Sequence, residues 1–279
     1  MEFRSEQARE RYQAFVAAAS AAVIGLDFDG TLAPIVSDPE QARIHPDSRE
    51  AMIALAEVFP TIAVITGRPV AQVLDLGDMD QAGREIRERG GELFIYGQYG
   101  YERWNSQQKQ ISTPEPPAGL AELRAEVPEI LIAAQTPDVW LEDKGLALAL
   151  HTRRCANPEA AYDRLLPQVL RAARRHELDV EPGRRVIEIR QARVHKGIAV
   201  QELAAVRRAT GFCFIGDDLG DLAAFRAVAA LAEQGLATLL VASASGEESA
   251  LVDLADVVVP GPDGVAEFLN QMATDVSAS

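Results

Sequence analysis

The chain alternates short, nearly unbroken apolar runs with longer stretches in which apolar residues recur at helical spacing. "AAVIGLDF" (21–28) suits a strand covered on both faces, as in a parallel sheet. "HPDSREAMIALAEVF" (45–59) follows with Ala51, Ile53, Leu55 and Val58 among its apolar positions, a helix. "TIAVITG" (61–67) is a second strand stopping at Gly67, "PVAQVLDLG" (69–77) a helix with Pro69 near its first turn, and "ELFIYG" (92–97) a third strand. Further on come the strand "GFCFIGDD" (211–218), the helix "DLAAFRAVAAL" (221–231) and the strands "ATLLVAS" (237–243) and "ADVVVPG" (255–261). This alternation predicts an α/β fold, a doubly wound, mainly parallel sheet.

The middle breaks the rhythm. After the Pro-rich "STPEPPAG" (112–119) come a helix-like "LAELRAEVPEILIAA", two strand-like pieces, "VWLEDKGLALALHTR" (139–153) and "RRVIEIR" (184–190), and between them a helical "AAYDRLLPQVLRAARRHEL" in which Pro167 marks a kink or boundary. We expect a smaller α+β domain at 102–189, inserted into a core domain formed by 1–101 and 190–279.

Composition narrows the function. With 279 residues, 48% hydrophobic and 25% charged, the chain can form one large or two moderate domains. A net charge of −15 argues against holding nucleic acid or an anionic membrane through charge, so an anionic substrate must meet local positive groups or a metal. Cys155 and Cys213 are far apart and in no metal-ligand spacing, which suits a reduced cytoplasm. The apolar run before Asp27, "VAAASAAVIGL", is too short to span a bilayer, which takes about 20 residues, and lacks a signal-peptide layout. A cytoplasmic monomer is expected.

In open parallel α/β sheets, ligands bind at the carboxyl ends of the strands. Those ends carry Asp27 and Asp29, then Thr66, Gly67 and Arg68, then Asp217, Asp218 and Asp221; Lys196 opens a helix just before the last of these strands. Hard carboxylate oxygens from Asp27, Asp217 and Asp218 suit Mg²⁺. Thr66 can bond a phosphoryl oxygen, Lys196 can pair with its charge, Gly67 and Arg68 are candidates to bind the substrate, and a backbone N–H near Asp29 or Gly67 can complete the cradle. An aspartate so placed can attack phosphorus, and a second can protonate the leaving oxygen and then deprotonate water.

"DFDGTL", "VITGR", "HKG" and "GDD", in this order, resemble the four motifs of the haloacid dehalogenase-like phosphatases. The resemblance implies Asp27 as nucleophile, Asp29 as general acid/base, Thr66 and Lys196 as phosphate holders, and Mg²⁺ among Asp27, the backbone carbonyl of Asp29, Asp217 and Asp218. Within that superfamily, "LEDKGLALALHTR" (141–153), "VIEIRQARVHKG" (186–197) and "LAPIVSDPEQARIHP" (32–46) are similar to segments of trehalose-6-phosphate phosphatases, whose inserted cap selects the sugar. Three segments depart from that family: Gln98 and Tyr99 stand where a Gly-Asn/Ser-His-Gly turn is usual, Gly220 and Leu222 replace a Thr and a Glu, and Gln191 replaces a Pro.

For the sugar, the candidates are Glu142, Lys144 and Glu188, with Arg153 and Arg190 weaker. Glu142 and Lys144 share one face of a strand, and Glu188, alternating with Ile187 and Ile189, faces away from the insert's core. His151 and His195 read as non-catalytic, His45 and His176 as surface residues. Two alternatives stand beside trehalose 6-phosphate: a related sugar phosphatase for sucrose phosphate or mannosylglycerate phosphate, and a catalytically silent domain that binds a sugar phosphate.

Overall fold

A computed structural model describes residues 2–183, 185–191, 194–244 and 251–279. Arg184, Ala192 and Arg193, from the last expected strand of the insert and the segment after it, lie outside the described residues. The chain forms two compact units, Met1–Thr113 with His195–Ser279, and Pro114–Val194.

The larger unit is built on an eight-stranded sheet. Its strands are β1 (Glu2–Phe3), β2 (Ala22–Leu26), β3 (Thr61–Ile65), β4 (Glu92–Gly97) and β5 (Glu102–Asn105); the smaller unit holds β6 (Trp140–Asp143), β7 (Ala147–His151), β8 (Leu178–Gly183) and β9 (Val186–Gln191); and β10 (Gly211–Gly216), β11 (Ala237–Ser243) and β12 (Val257–Val259) return to the first sheet. The order is β1-β12-β11-β10-β2-β3-β4-β5, parallel from β12 through β4, with antiparallel strands at both edges.

The helices are α1 (Glu6–Ala17), α2 (Pro46–Leu55), α3 (Val70–Leu76), α4 (Met79–Glu88), α5 (Leu120–Ala133), α6 (Pro158–Arg175), α7 (Lys196–Arg207), α8 (Leu222–Glu233) and α9 (Gly261–Ser277). Alternation along the strands explains the layering. Ile24, Leu26, Ile62 and Val64 bury against α1, α2, α3, α4 and α9, while Val23, Ala63, Ile65, Phe212 and Phe214 bury against α7 and α8. Both faces are covered, so the strands read as continuous apolar runs rather than alternating ones. Chain order reverses between β2 and β10, which lie side by side, and a cleft opens at such a switch point.

The smaller unit is a four-stranded antiparallel sheet, β6-β7-β9-β8. Leu148, Leu150, Ile187 and Ile189 pack with Leu123, Val127, Leu165 and Val169 of α5 and α6. Three expectations shift. Residues 102–105 belong to the larger unit, because β5 pairs with β4, and the chain re-enters that unit only at His195. "VWLEDKGLALALHTR" is not one strand but the hairpin β6–β7, turning at Gly145 with φ +78°. Pro167 lies inside α6, which continues unbroken to Arg175; a buried stripe of Ala161, Leu165, Val169, Ala172 and Ala173 on both sides of it holds the helix against the sheet.

Candidate active site

β2 ends by delivering Asp27 to the cleft. The Asp27 N–H donates to the carbonyl of Ile215 at the end of β10 (2.9 Å), which fixes the carboxylate between the two strands, and the residue is 4% exposed. Gly30 takes φ +73° in the turn that follows, and a Cβ there would stand 2.0 Å from Oδ2 of Asp217. Glycine is therefore required twice, for its backbone and for the close approach of the β10 loop.

Lys196 is the first residue of α7. Its Nζ lies 2.6 Å from Oδ1 of Asp27 and 2.6 Å from Oδ1 of Asp221. Asp221 is fully buried, and its Oδ2 accepts the N–H groups of Asp217 (3.0 Å) and Asp218 (3.4 Å). Its role is thus set by a 3-10 turn over Leu219–Asp221, where Asp218 takes the N-cap and its Oδ1 accepts the Gly220 N–H (2.8 Å).

Carboxylate oxygens of Asp27, Asp217 and Asp221 lie within 4.8 Å of one another. Three buried carboxylates crowd together beside the buried Lys196 ammonium, so like charges face one another at close range. The electrostatics register this. Burial, then Asp221, lift the Asp27 carboxyl well above the usual range although Lys196 opposes it. Burial, then Asp218 and Asp221, push Asp217 up to about 8. Asp221 is raised by burial and held back by Lys196. At Lys196, burial alone disfavours the ammonium, but Asp221, Asp27 and Asp218 outweigh it and raise the pKa. A hard divalent cation has the charge and ligand preference to relieve this crowding.

Thr66 follows β3, 1% exposed, with its Oγ1 accepting the Arg68 N–H at 3.2 Å. Arg68 does not stand free as a substrate contact. Its Nε and Nη2 form a fork on the two carboxylate oxygens of Asp29, each at 2.7 Å, and its Nη1 donates to the Pro39 carbonyl (2.8 Å). Bidentate pairing of this kind fixes both position and orientation, so Arg68 sets where the Asp29 carboxylate points. Gly67 lies beneath the ring of Tyr99.

In the smaller unit, the strand register places Glu142, Ala149, Glu188 and Glu181 in one row across the sheet. This is the face opposite the leucines and isoleucines of that unit's core. Lys144, just past β6, reaches Glu188 Oε2 at 2.7 Å, and Arg190 stands 3.8 Å from Glu188 Oε1 and 2.8 Å from Glu181. Glu142 meets Nε2 of His151 at 2.9 Å, and the His151 ring stacks on Trp140 at 4.7 Å. Arg153 is exposed beyond the end of β7. The structure thus gathers Asp27, Asp217 and Lys196 at one point, with Asp29, Thr66 and Arg68 on the neighbouring loops, and Glu142, Lys144, Glu188 and Arg190 on a face of the other unit. Asp221 joins the first group as the partner of Lys196. The third acid of "GDDLGD" is visible in the sequence, but its burial beneath the turn is not.

The family profile for trehalose-phosphatase matches residues 25–258. A rice (Oryza sativa subsp. japonica) protein described as probable trehalose-phosphate phosphatase 3 is 29% identical over 265 residues, covering 90% of this chain and 69% of that one. A Mycobacterium tuberculosis protein described as an uncharacterized glycosyl hydrolase is 30% identical over 262 residues, covering 90% of this chain but only 18% of its own length. Among solved structures, the C-terminal domain of the Candida albicans trehalose-6-phosphate phosphatase covers 98% of each chain with a TM-score of 0.73 and 19% identity, a likeness of fold.

Proposed function

This chain belongs to the trehalose-phosphatase family and hydrolyses trehalose 6-phosphate to trehalose and phosphate; we propose that it does so through a phosphoaspartyl enzyme formed on Asp27. The observation that carries the proposal is the placement of Lys196 between Asp27 and Asp221, 2.6 Å from each. The ammonium holds the Asp27 carboxylate in place and offers positive charge to an arriving phosphate.

In the first half-reaction a carboxylate oxygen of Asp27 bonds to phosphorus while the bond from phosphorus to the sugar oxygen breaks. Asp29 gives its proton to that oxygen, and trehalose leaves. In the second, Asp29 takes a proton from water, the water oxygen bonds to phosphorus, and the bond to Asp27 breaks, releasing phosphate. Thr66 and the Gly67 backbone cradle the phosphoryl oxygens. In this structure the Arg68 fork occupies both Asp29 oxygens, so Asp29 must leave that fork to carry the proton it gives.

Mg²⁺, held by Asp27, Asp217 and the backbone carbonyl of Asp29, would neutralise the clustered acids and draw charge from the phosphoryl group. Asp221 has both oxygens engaged by Lys196 and two backbone N–H groups, which favours a positioning role over direct ligation. Asp218, its carboxylate on the Gly220 N–H, contributes charge at the rim.

The smaller unit, taken here as the sugar-selecting cap, supplies Glu142, Lys144 and Glu188 to sugar hydroxyls, with Arg190 and Arg153 beside them. Ammonium, guanidinium and carboxylate alternating on one sheet face suit a polyol, since each hydroxyl both donates and accepts. We propose that the enzyme works as a monomer in the cytoplasm, a location that its two unpaired cysteines suit. Among the described residues no helix is long and apolar enough to cross a membrane.

Phosphate release from trehalose 6-phosphate, beside sucrose 6-phosphate and glucose 6-phosphate, with Mg²⁺ or with chelator, tests the reading. Activity on trehalose 6-phosphate that disappears in chelator is expected. Equal turnover of all three esters, or full activity in chelator, overturns the sugar or the metal assignment respectively.

A further inference from the structure

The turn after β4 is the most strained backbone near the catalytic loops. Gln98 has φ 45°, Tyr99 φ 63° and Gly100 φ 106°, so two bulky residues in succession occupy the left-handed region. Such a conformation persists only where surrounding contacts enforce it, and it collects at functional sites. Here the contacts are specific. The Gln98 N–H donates to the Arg68 carbonyl (2.8 Å) and the Tyr99 N–H to the Thr66 carbonyl (2.9 Å), so the turn is tied to both ends of the phosphate-cradling loop. Gly100 packs on Ala199, three residues into the helix that Lys196 opens; a Cβ on Gly100 would stand 3.4 Å from that of Ala199.

The strain has one evident product. It lays the phenol of Tyr99 across Gly67, where a Cβ would come within 2.8 Å of both the ring Cζ and the hydroxyl oxygen. The hydroxyl thus lies at the loop that carries Thr66, and the residue remains half-exposed.

We propose that Tyr99 is a specificity-determining residue whose hydroxyl bonds the phosphorylated hexose ring of the substrate, at the point where that ring joins the phosphate. The inference rests on trehalose 6-phosphate as substrate and adds a contact from the core unit itself. A phenol hydroxyl both donates and accepts, which matches a ring hydroxyl. A flat aromatic ester such as p-nitrophenyl phosphate has no hydroxyl to meet it.

The experiment compares wild type, Tyr99→Phe and Tyr99→Ala on trehalose 6-phosphate and on p-nitrophenyl phosphate, with thermal midpoints for each. Tyr99→Phe keeps the ring on Gly67 and removes only the oxygen. Its kcat/KM for trehalose 6-phosphate should fall about tenfold, mainly through KM, while p-nitrophenyl phosphate hydrolysis changes less than about twofold and the midpoint stays in place. Tyr99→Ala should lower both activities and the midpoint, because the loop loses its cover. A Tyr99→Phe enzyme equal to wild type on trehalose 6-phosphate, or equally impaired on both esters, overturns the proposal. A wild type inactive on trehalose 6-phosphate but active on p-nitrophenyl phosphate overturns the substrate reading instead.

Discussion

Replacing Lys196 with Met removes the one ammonium in the buried acid cluster while keeping most of its aliphatic volume. The side chain is 4% exposed, and its two partners are 6% and 0% exposed. Removing one member of a buried ion pair costs about 3–5 kcal/mol, because the remaining charge is left without compensation. For a chain of this size each kcal/mol moves Tm by roughly 2–4 °C, so the variant should melt about 10 °C lower at neutral pH. The pH dependence makes the test specific. Lys196 has a folded pKa above its ordinary value, so it stays an ammonium across the neutral range, and any pH dependence of its contribution there comes from the carboxyls it faces. Asp27 and Asp221 behave oppositely to a normally paired acid. Their folded pKa values are raised, so the folded protein retains protons that the unfolded chain loses above about pH 4, and stability falls as pH climbs from there. Without the ammonium these carboxyls rise further and neutralise themselves in acid. The gap between wild type and Lys196→Met should therefore be small near pH 5.5 and widest near pH 8.5, read by circular dichroism melting in chelator. A gap that is the same at both pH values would falsify the view that Lys196 acts by compensating the buried carboxylates.

Asp27→Asn should abolish turnover, with kcat reduced by more than about a hundredfold, while the fold and substrate binding persist; retention of more than a hundredth of wild-type kcat speaks against a nucleophile there. Asp217→Asn should weaken Mg²⁺ affinity and recover in part with excess Mg²⁺, whereas Asp221→Asn, which loosens Lys196, should not recover; titrating Mg²⁺ against both variants separates ligand from positioner. Glu142→Ala and Glu188→Ala should each cut kcat/KM for trehalose 6-phosphate by about ten- to a hundredfold and leave p-nitrophenyl phosphate nearly unchanged; parallel losses on both would place these residues in the fold instead. Light scattering should give the mass of a monomer, and a dimer mass would overturn that expectation.

Much of the core was legible in the sequence because it obeys local rules. A strand buried on both faces must be apolar throughout, so the acids that end β2 and β10 stand out by contrast. The smaller unit was harder to read. Its β8 begins at Leu178, at the tail of a run patterned as helix, and continues through "DVEPG", in which Pro182 and Gly183 argue against a strand. It forms because β9 offers a full partner edge, a tertiary gain that propensity does not contain. The hairpin at Lys144–Gly145 was hidden for the opposite reason, an apolar run on each side of a short turn. Arg68 illustrates the limit for the site. Its position next to Thr66 suggested a substrate contact, yet the carboxylate of Asp29, distant in sequence, claims its guanidinium. Asp221 became a partner of Lys196 only through a turn whose geometry depends on where Asp218 caps it.

The close fit of Gly30 against Asp217 also bears on how such a protein could change over generations. Any side chain at position 30 must displace the acid opposite, since its first carbon would fall 2.0 Å from that oxygen. A Cβ on Gly216 would likewise fall 2.5 Å from the Asp221 carboxyl. A substitution at either position therefore cannot leave the acid cluster as it stands. At position 30 the backbone, at φ +73°, would still resist a side chain even if the acid were lost. The two glycines and the acids they face therefore constrain one another: a change at either glycine moves a carboxylate of the cluster.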